Sequence, residues 1–494
     1  MAAAAPELLQ ELGQQLVDLL KFDDASVRET GAALFADLFA QEPAYYQKFP
    51  QLFDPFAAVF RDVSPAVRAK MVEHGVRLAH PPKELPRPPA NLAEQLVEEL
   101  KGKVCDPDDK VRTTAVKAVC AACWESIGPF APLVAAARER MRDKKSQVAG
   151  VAMEQMVTLY RHHAAVAAAG GGSVPEPLAE VPSTLLAAYL SNTCDRNQIE
   201  NLLYQKLLPT DGAQRLRAIT DVHAVLKGKE RDVLKTMLRN KRKAQIQLSR
   251  WLELQQKLKE SKGDGQAKKE QAALVKQMID ESSDPPRAKE VWESLATSKD
   301  GNLRRALAVV ASPTSEYDEL TTALKDARAR IAQRLNHQAA LPAVSNILAR
   351  SAMVVLWKGG AHTLVEDVAA ELDAMPGDGA DAELPKLKLL LDAVNIFPQL
   401  MEGAGDAIAK CVKAAQEAGA PRRGVLCQLL KLVEAASPAL ATAGKETRKA
   451  IVAALCGQCC AKDAGVGKLA AQCLSTSVLA DATRARTFAT LVSK

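Results

Sequence analysis

Aromatic residues are scarce in this sequence and make up only 4% of its 494 residues. Because β-sandwiches and β-barrels draw heavily on aromatic and β-branched side chains, this scarcity argues against an all-β fold. Alanine and leucine are abundant instead, which suits closely packed helices. The hydrophobic content of 48% is ample for a buried core. The composition therefore predicts an all-α protein.

Long apolar runs are also missing. A membrane-spanning helix needs about 18 or more consecutive apolar residues, and no such run occurs. The opening sequence MAAAAPELL lacks the basic residues that begin a secretory signal. We therefore expect a soluble, intracellular protein that does not contact a membrane.

Charge of one sign does not dominate the chain. The 65 basic and 59 acidic residues give a net charge of +6, which is too mild to indicate a dedicated nucleic-acid binder. Such a charge permits an acidic partner without requiring one.

The ten cysteines lack the spacing of a metal site. Cys120 with Cys123, and Cys456 with Cys459 and Cys460, lie inside apolar helical patterns and have no second ligand pair at zinc-ribbon spacing. We expect buried free thiols in a reducing compartment, with no disulfide and no metal.

Catalytic and cofactor motifs are absent as well. In KDAGVGKLA, Lys462 stands where a phosphate loop needs glycine, and Leu469 stands where it needs serine or threonine. His162 and His163 are adjacent, so on a helix they point about 100° apart and cannot chelate one ion. No nucleophile elbow, HExxH run or EF-hand loop occurs. The sequence therefore predicts a non-enzymatic scaffold without a cofactor.

What the sequence does contain is a repeat. An acidic turn, then Val-Arg, then an amphipathic run recurs at Val27, Val67 and Val111, and once more without the arginine at Val148. The intervals are 40, 44 and 37 residues, which is the period of HEAT-type helical repeats.

Each repeat is interpreted as a helix pair. The acidic turn caps the second helix, and the arginine one turn later is expected to reach back along the stack. Such a pair buries its apolar face only against its neighbours, which predicts a HEAT/armadillo-like α-solenoid. The alternative is a set of unrelated amphipathic helices that happen to begin with aspartate.

The composition changes along the chain, and a weaker copy of the repeat pattern occurs near the C-terminal end. The predicted organisation is HEAT-type repeats over 1–166, a Gly/Pro-rich linker over 167–182, a long-helix middle segment over 183–340, and HEAT-like helical repeats over 341–494. The middle segment is basic from about residue 227 to 269. A solvated helix face explains most of that charge, and weak contact with DNA or another polyanion is the alternative.

One segment carries a family resemblance. The stretch FAPLVAAARERMRDKKSQVAGVAMEQMVTLYRHH resembles a segment of the cohesin-associated HEAT-repeat family named for precocious dissociation of sister chromatids. The positions that match its order are Arg138, Glu139, Arg140, Asp143, Lys144, Val148, Ala152, Met153, Leu159 and Tyr160. Further similar stretches follow in the same order, over roughly Asp24 to Leu474.

The sequence also departs from that family. Ser146, Gln147, Ala149 and Gly150 stand where the family has a tryptophan and further basic residues. The matching region begins inside the family's repeat array and lacks its C-terminal part, which indicates a shortened or partial member. We therefore do not carry over docking of the wings-apart-like release factor, which belongs to the missing ends.

The resemblance implies a regulator of sister chromatid cohesion in the nucleus, associated with chromatin, that binds the kleisin subunit of cohesin. The predicted partner-binding residues are Arg138, Arg142, Lys144, Lys145, Tyr204, Lys206, Arg215 and Arg217. Each of the charged residues could instead be a solvated charge at a helix end, and Tyr204 an ordinary packing residue. A cytoplasmic transport or trafficking adaptor that holds protein cargo is the competing interpretation, and an enzyme is the third.

Overall fold

The computed structural model describes residues 6–191, 194–261, 264–282, 284–334, 341–374, 384–417, 423–440, 444–459 and 464–476. The chain divides into two compact units, unit 1 over residues 1–207 and unit 2 over residues 208–494. The regular structure of the described residues is helical throughout, with no strand among them. The prediction of an all-α fold is confirmed.

The residues of unit 1 that the structure describes form twelve α-helices, with short 3₁₀ turns between some of them. The helices are α1 (Pro6–Leu19), α2 (Ala25–Gln41), α3 (Tyr45–Lys48), α4 (Pro50–Ala58), α5 (Pro65–Ala79), α6 (Ala90–Val104), α7 (Asp109–Ala122), α8 (Ala131–Glu139), α9 (Ser146–Gly170), α10 (Glu176–Ala179), α11 (Val181–Ala188) and α12 (Arg196–Asn201). A π-helical turn, Leu202–Leu207, follows α12.

These helices stack as the predicted repeat requires. The second helices of successive pairs pack one on the next, in the order α2, α5, α7 and α9. The first helices form the other layer, in which α1 contacts α4, α6 contacts α8, and α8 contacts α10. Because each pair buries its apolar face against its neighbours, unit 1 is a HEAT-type stack.

The acidic turns begin the second helices. The Asp24 side chain accepts a hydrogen bond of 2.8 Å from the Ser26 N–H, and Asp108 accepts bonds of 2.9 and 3.1 Å from the N–H groups of Lys110 and Val111. Each bond satisfies a backbone donor that has no partner within the first turn of its helix. The predicted capping role is confirmed at α2 and α7. It is wrong at α5 and α9, where the N-cap residues Ser64 and Lys145 make no side-chain capping bond.

The few aromatic residues are concentrated in the first repeats. Phe35 and Phe39 of α2 pack against Phe53 and Phe56 of α4, with ring centroids 5.3 to 6.2 Å apart. All four side chains are buried. This cluster joins the second helix of the first pair to the first helix of the next, and alanine, valine and leucine fill most of the later core.

The described part of unit 2 contains thirteen α-helices. They are α13 (Gly212–Val225), α14 (Gly228–Glu260), α15 (Gly265–Asp280), α16 (Pro285–Ala296), α17 (Gly301–Ala311), α18 (Tyr317–Arg334), α19 (Leu341–Ser351), α20 (Lys358–Ala374), α21 (Pro385–Val394), α22 (Gly405–Glu417), α23 (Arg423–Leu440), α24 (Lys445–Cys459) and α25 (Ala464–Thr476).

Two packing patterns occur within unit 2. The 33-residue helix α14 packs against α15, α17 and α19. From α20 onward the helices form two layers again, α20 on α22 on α24, and α21 on α23 on α25. The longest described helix, α14, lies in the predicted middle segment, and the next longest, the 25-residue α9, lies in unit 1. Among the described residues, no helix combines the length and the hydropathy that spanning a bilayer requires.

The predicted linker differs from the structure at its start. Residues 167–170 form the last turn of α9, which ends at Gly171 with a left-handed φ of 68°. A run of alanines favours helix up to that point, and glycine reaches the left-handed conformation without strain. The other predicted boundaries stay predictions.

The described cysteines are free thiols. Cys120, Cys123, Cys411 and Cys473 are buried, whereas Cys105 is exposed. Burial raises the pKa of the Cys123 thiol to about 12, so this thiol is neutral and inert at neutral pH. Cys460 lies outside the described residues.

Candidate partner-binding surface

Three arginines in the first turn of α2, α5 and α7 each bind the carboxylate of an aspartate in the following repeat. We call these contacts the arginine ladder. Its rungs are Arg28 to Asp62 at 2.7 and 2.8 Å, Arg68 to Asp106 at 2.9 and 2.8 Å, and Arg112 to Asp143 at 3.0 and 3.0 Å. In every rung the Nε and Nη2 groups donate to the two carboxylate oxygens, which is the strong bidentate geometry.

The prediction that these arginines reach back along the stack is wrong, because they reach forward to the next repeat. The stack places the next acidic turn beside each guanidinium. The remaining nitrogen binds the turn before the arginine's own helix, as when Arg112 Nη1 donates to the carbonyl oxygens of Asp106 and Pro107 at 2.8 and 3.0 Å. Each arginine therefore ties together two consecutive inter-helix turns.

The aspartates of the ladder also hold their own turns. Asp62, Asp106 and Asp143 accept the N–H of the residue two positions later, at 2.7, 3.0 and 2.9 Å. Burial by itself would raise the pKa of Asp143, but the hydrogen bonds from Arg112 and from the Lys145 N–H outweigh it and hold this pKa below its ordinary value. The pKa values of Asp62 and Asp106 are lowered in the same way, because hydrogen bonds from an arginine and a backbone N–H outweigh the effect of burial.

The ladder ends at Asp143. One repeat later the arginine position is Ala149, which is fully buried. The turn that Arg112 fixes carries no further rung, and Arg142, Lys144 and Lys145 are exposed on it. We call residues 138–145 the basic turn.

Three of the predicted binding residues project from this turn. The Arg142 side chain is half exposed and lies 3.3 Å from Glu139, while Lys144 and Lys145 are exposed. Their backbone is held because Asp143 accepts from the Lys145 N–H at 2.9 Å and is itself bound by Arg112. Because this backbone is already held in place, the turn loses little conformational entropy when its side chains bind a partner.

Arg138 differs from these three residues, because its guanidinium is used in contacts within unit 1. Its Nη2 lies 2.8 Å from the Glu180 carboxylate, its Nη1 donates to the Pro177 carbonyl at 3.3 Å, and its side chain is only 15% exposed. These contacts join the end of α8 to the segment around α10.

Tyr204 and Lys206 lie in the π-helical turn at the end of unit 1. The Tyr204 side chain is buried, with only 3% of the residue exposed. Lys206 is about half exposed, and its ammonium group pairs with Glu154 of α9. Arg161, also on α9, donates to the Lys206 carbonyl at 3.1 Å, so this turn is anchored to α9.

The last two predicted residues lie in unit 2. Arg215 is buried: its Nη1 donates to the Pro209 carbonyl at 2.7 Å, its Nε donates to the Val354 carbonyl, and its guanidinium lies over the Tyr317 ring. It uses the same local geometry as the ladder arginines, but a backbone carbonyl replaces the aspartate. Arg217 is exposed.

Six of the eight predicted residues lie in unit 1, four of them in the basic turn and two in the π-helical turn, and the other two lie in unit 2. In this conformation Tyr204 and Arg215 do not reach solvent, because internal packing and carbonyl acceptors enclose them. The side chains open to a partner are those of Arg142, Lys144, Lys145, Lys206 and Arg217. A partner contact by any of the eight stays a prediction.

The acceptors of the ladder arginines were not predicted from the sequence. The sequence pattern indicates only a capping role for the aspartates of the acidic turns, whereas Asp62, Asp106 and Asp143 bind the arginine of the preceding repeat. The recurrence of an aspartate 31 to 38 residues after each arginine is the signal that could have revealed this.

The basic segment, 227–269, uses much of its charge internally. Lys241 is buried and donates to the Ala352 carbonyl at 3.1 Å. Lys243 pairs with Glu281 at 2.6 Å, and Arg250 pairs with Glu270 at 2.6 Å. The cationic surface of α14 is therefore smaller than its sequence indicates.

The described part of the chain also has no group of three or more histidine, cysteine or acidic side chains that could hold a metal ion. The arrangement supplies fixed charges and rigid turns, which suit binding.

Comparison with known proteins agrees with this architecture. The chain is 25% identical over 318 residues to human "Sister chromatid cohesion protein PDS5 homolog B", a match that covers 62% of this chain and 21% of that protein. It is 22% identical over 374 residues to fission yeast "Sister chromatid cohesion protein pds5", covering 73% of this chain and 30% of that protein. The matches therefore span between about a fifth and a third of these relatives.

A solved structure has the same fold. It is described as "Structure of the Pds5-Scc1 complex and implications for cohesin function" and matches with a TM-score of 0.67 at 15% identity, over 81% of this chain and 59% of that one. A family model described as "Sister chromatid cohesion protein PDS5 protein" matches residues 1–494. The chain therefore belongs to the PDS5 family of sister chromatid cohesion proteins.

Proposed function

We propose that this protein is a non-enzymatic scaffold that regulates cohesin in sister chromatid cohesion by binding the kleisin subunit. The family match over residues 1–494 carries the proposal. The fold shared with the Pds5 chain of the Pds5–Scc1 complex supports it, because that structure is of a Pds5 with a bound partner. We further propose a nuclear, chromatin-associated location.

The contact surface proposed for the kleisin is the basic turn together with Lys206. Arg142, Lys144, Lys145 and Lys206 are exposed cations within unit 1. The arginine ladder holds the base of the turn, so an extended peptide would meet a stiff edge of successive helix ends. Binding to such an edge would involve little reordering of the scaffold. Arg217 of unit 2 is proposed as a further contact.

Weak contact with DNA through the exposed cations of the basic segment stays a secondary proposal. The internal pairs of Lys243 and Arg250 argue for low affinity. Neither the family match nor the relatives favour the transport or trafficking alternative.

Affinity purification from a nuclear extract tests the function. The tagged chain should recover the cohesin subunits in a salt-resistant complex. A variant with Lys144→Glu and Lys145→Glu should recover fewer, whereas one with Lys101→Glu and Lys117→Glu, exposed lysines on α6 and α7, should recover as much as the unmodified chain. Recovery of transport cargo without cohesin would contradict the proposal.

A further inference from the structure

An acidic groove opens on the surface of unit 2. Two adjoining cavities, of about 750 and 590 Å³, share Asp318 in their walls. The first lies among the beginnings of α13, α18 and α20, and the second lies between α17 and α18. We call them together the acidic groove. Their combined size exceeds what one amino-acid side chain needs.

The lining of this groove is unusual for a chain with a net charge of +6. It contains seven carboxylates and four cations. The carboxylates belong to Asp211, Asp221, Glu316, Asp318, Glu319, Asp326 and Asp367. Two of the cations pair with two of these carboxylates, because Lys386 lies 2.8 Å from Asp367 and from Glu371, and Arg330 binds Asp326 at 2.7 Å and Asp300 at 2.9 Å. Five carboxylates and two cations of the lining remain.

Some of these carboxylates have a structural role. Asp211 accepts from the Gln214 N–H at 2.9 Å, and Glu316 accepts from the Gly359 N–H at 3.1 Å. Asp221, Asp318 and Glu319 differ, because none of them has a hydrogen bond or an ion pair through its carboxylate within the described part of the chain. These three charges are available to a ligand.

Partial burial raises the pKa of Asp221, and the neighbouring charge of Arg217 only partly opposes this rise. Asp221 is nevertheless an exposed residue, so a ligand can reach its carboxylate. A cation placed beside it would stabilise the charged form.

An apolar wall lies next to the free carboxylates. The rings of Tyr317 and Trp357 pack with centroids 4.6 Å apart and line the first cavity. Gly212 allows the Tyr317 ring to pack closely against the start of α13, because a Cβ at this position would lie 3.2 Å from that ring. Lysine and arginine combine an aliphatic stem with a charged end, so they match an apolar wall beside carboxylates.

We propose that the acidic groove binds an extended basic peptide, whose lysine or arginine side chains lie beside Asp221, Asp318 and Glu319. An extended peptide places alternate side chains on one face and can thus reach both cavities. Phosphate-bearing ligands are disfavoured by the excess of carboxylates. This groove is separate in sequence from the basic turn, and the inference does not rest on the proposed function.

Fluorescence anisotropy with the full chain tests the proposal. The probe is a labelled 12-residue peptide of alternating lysine and serine, and its control carries glutamate in place of lysine. The lysine peptide should bind and the glutamate peptide should not. The triple variant Asp221→Asn, Asp318→Asn and Glu319→Gln should bind the lysine peptide about tenfold more weakly, as expected for the loss of three partly exposed ion pairs.

A matched control keeps this result specific. Asp232→Asn with Glu446→Gln removes two exposed carboxylates of unit 2 outside the groove and should leave affinity unchanged. Arg217→Glu should strengthen binding of the lysine peptide, a gain that misfolding cannot imitate. Equal weakening by the groove and control variants, or no gain from Arg217→Glu, would overturn the proposal. Spermine binding as tightly as the peptide, with the same sensitivity to the variants, would also overturn it.

Discussion

Arg112 and Asp143 are joined by two hydrogen bonds of 3.0 Å that connect the third repeat of unit 1 to the fourth. Both side chains are at least 90% buried, and Arg112 also binds two carbonyl oxygens of the preceding turn. This pair is the last rung of the arginine ladder and the support of the basic turn. It therefore links the packing of the stack to the surface proposed for the partner.

Arg112→Ala should destabilise unit 1 by about 3–5 kcal/mol, because the buried Asp143 carboxylate loses its two bonds from the guanidinium and two carbonyl oxygens lose a donor. Lys117→Ala, at an exposed position of the same helix, should change stability by less than about 0.5 kcal/mol. Thermal unfolding measures the loss, and hydrogen exchange at the Lys145 amide should speed up in the arginine variant alone. Equal stability of the two variants would show that the ladder is dispensable.

Arg112→Lys separates charge from geometry. Lysine keeps the positive charge but cannot make the bidentate contact or reach the carbonyl oxygens at the same time. We expect it to recover less than half of the stability lost in Arg112→Ala. Full recovery, measured in the same unfolding experiment, would mean that charge alone matters.

Stability should depend on pH through the ladder aspartates. The pKa values of Asp62, Asp106 and Asp143 are lowered in the folded chain. The folding stability that these carboxylates contribute is therefore fully present above their ordinary pKa of 3.8. It is lost as the pH falls through the lowered folded-state values, where the native state must also take up protons. Melting temperatures measured from pH 7 to pH 2.5 should fall most steeply below about pH 4.

The ladder variants provide the control for that titration. Combining Asp62→Asn, Asp106→Asn and Asp143→Asn should flatten the acid limb of the profile and lower stability at pH 7. An unchanged acid limb would assign the pH dependence to other carboxylates.

Ala149→Arg tests why the ladder stops. The site is fully buried, so the new side chain should overpack the core and cost at least about 1–3 kcal/mol. Ala168→Arg, at an exposed position of the same helix, should be nearly neutral. A stable Ala149→Arg variant would mean that the fourth repeat can accept a further rung. Circular dichroism during thermal unfolding distinguishes the outcomes.

DNA binding by the basic segment should be weak and sensitive to salt. Because Lys241, Lys243 and Arg250 are already bound within the protein, fewer cations of the segment remain for phosphates. Any affinity for a 20-base-pair duplex at low salt should vanish near about 0.15 M salt. Tight binding that persists at that salt concentration would contradict this prediction.

The sequence revealed what is periodic and local. The spacing of Val27, Val67, Val111 and Val148 was enough to predict the repeat, and the caps at Asp24 and Asp108 follow from residues two or three positions apart. Local patterns of this kind depend on helix geometry, which is the same in every protein.

Contacts between distant segments were not predictable in this way. Arg215 resembles a surface cation in sequence, but its acceptor at Val354 lies 139 positions away and encloses it. The forward direction of the ladder depends on which neighbouring turn the stack places beside each guanidinium. The acidic groove gathers α13, α17, α18 and α20, which no single stretch of sequence brings together.

Direct binding of the kleisin is the decisive measurement. The purified chain should bind a labelled kleisin fragment of the same organism at least about tenfold more tightly than a scrambled version of it, since about 1.4 kcal/mol is the least that specific recognition should supply. Lys144→Glu with Lys145→Glu should weaken that binding, and Lys101→Glu with Lys117→Glu should not. Equal affinity for the native and scrambled fragments would contradict the proposed function.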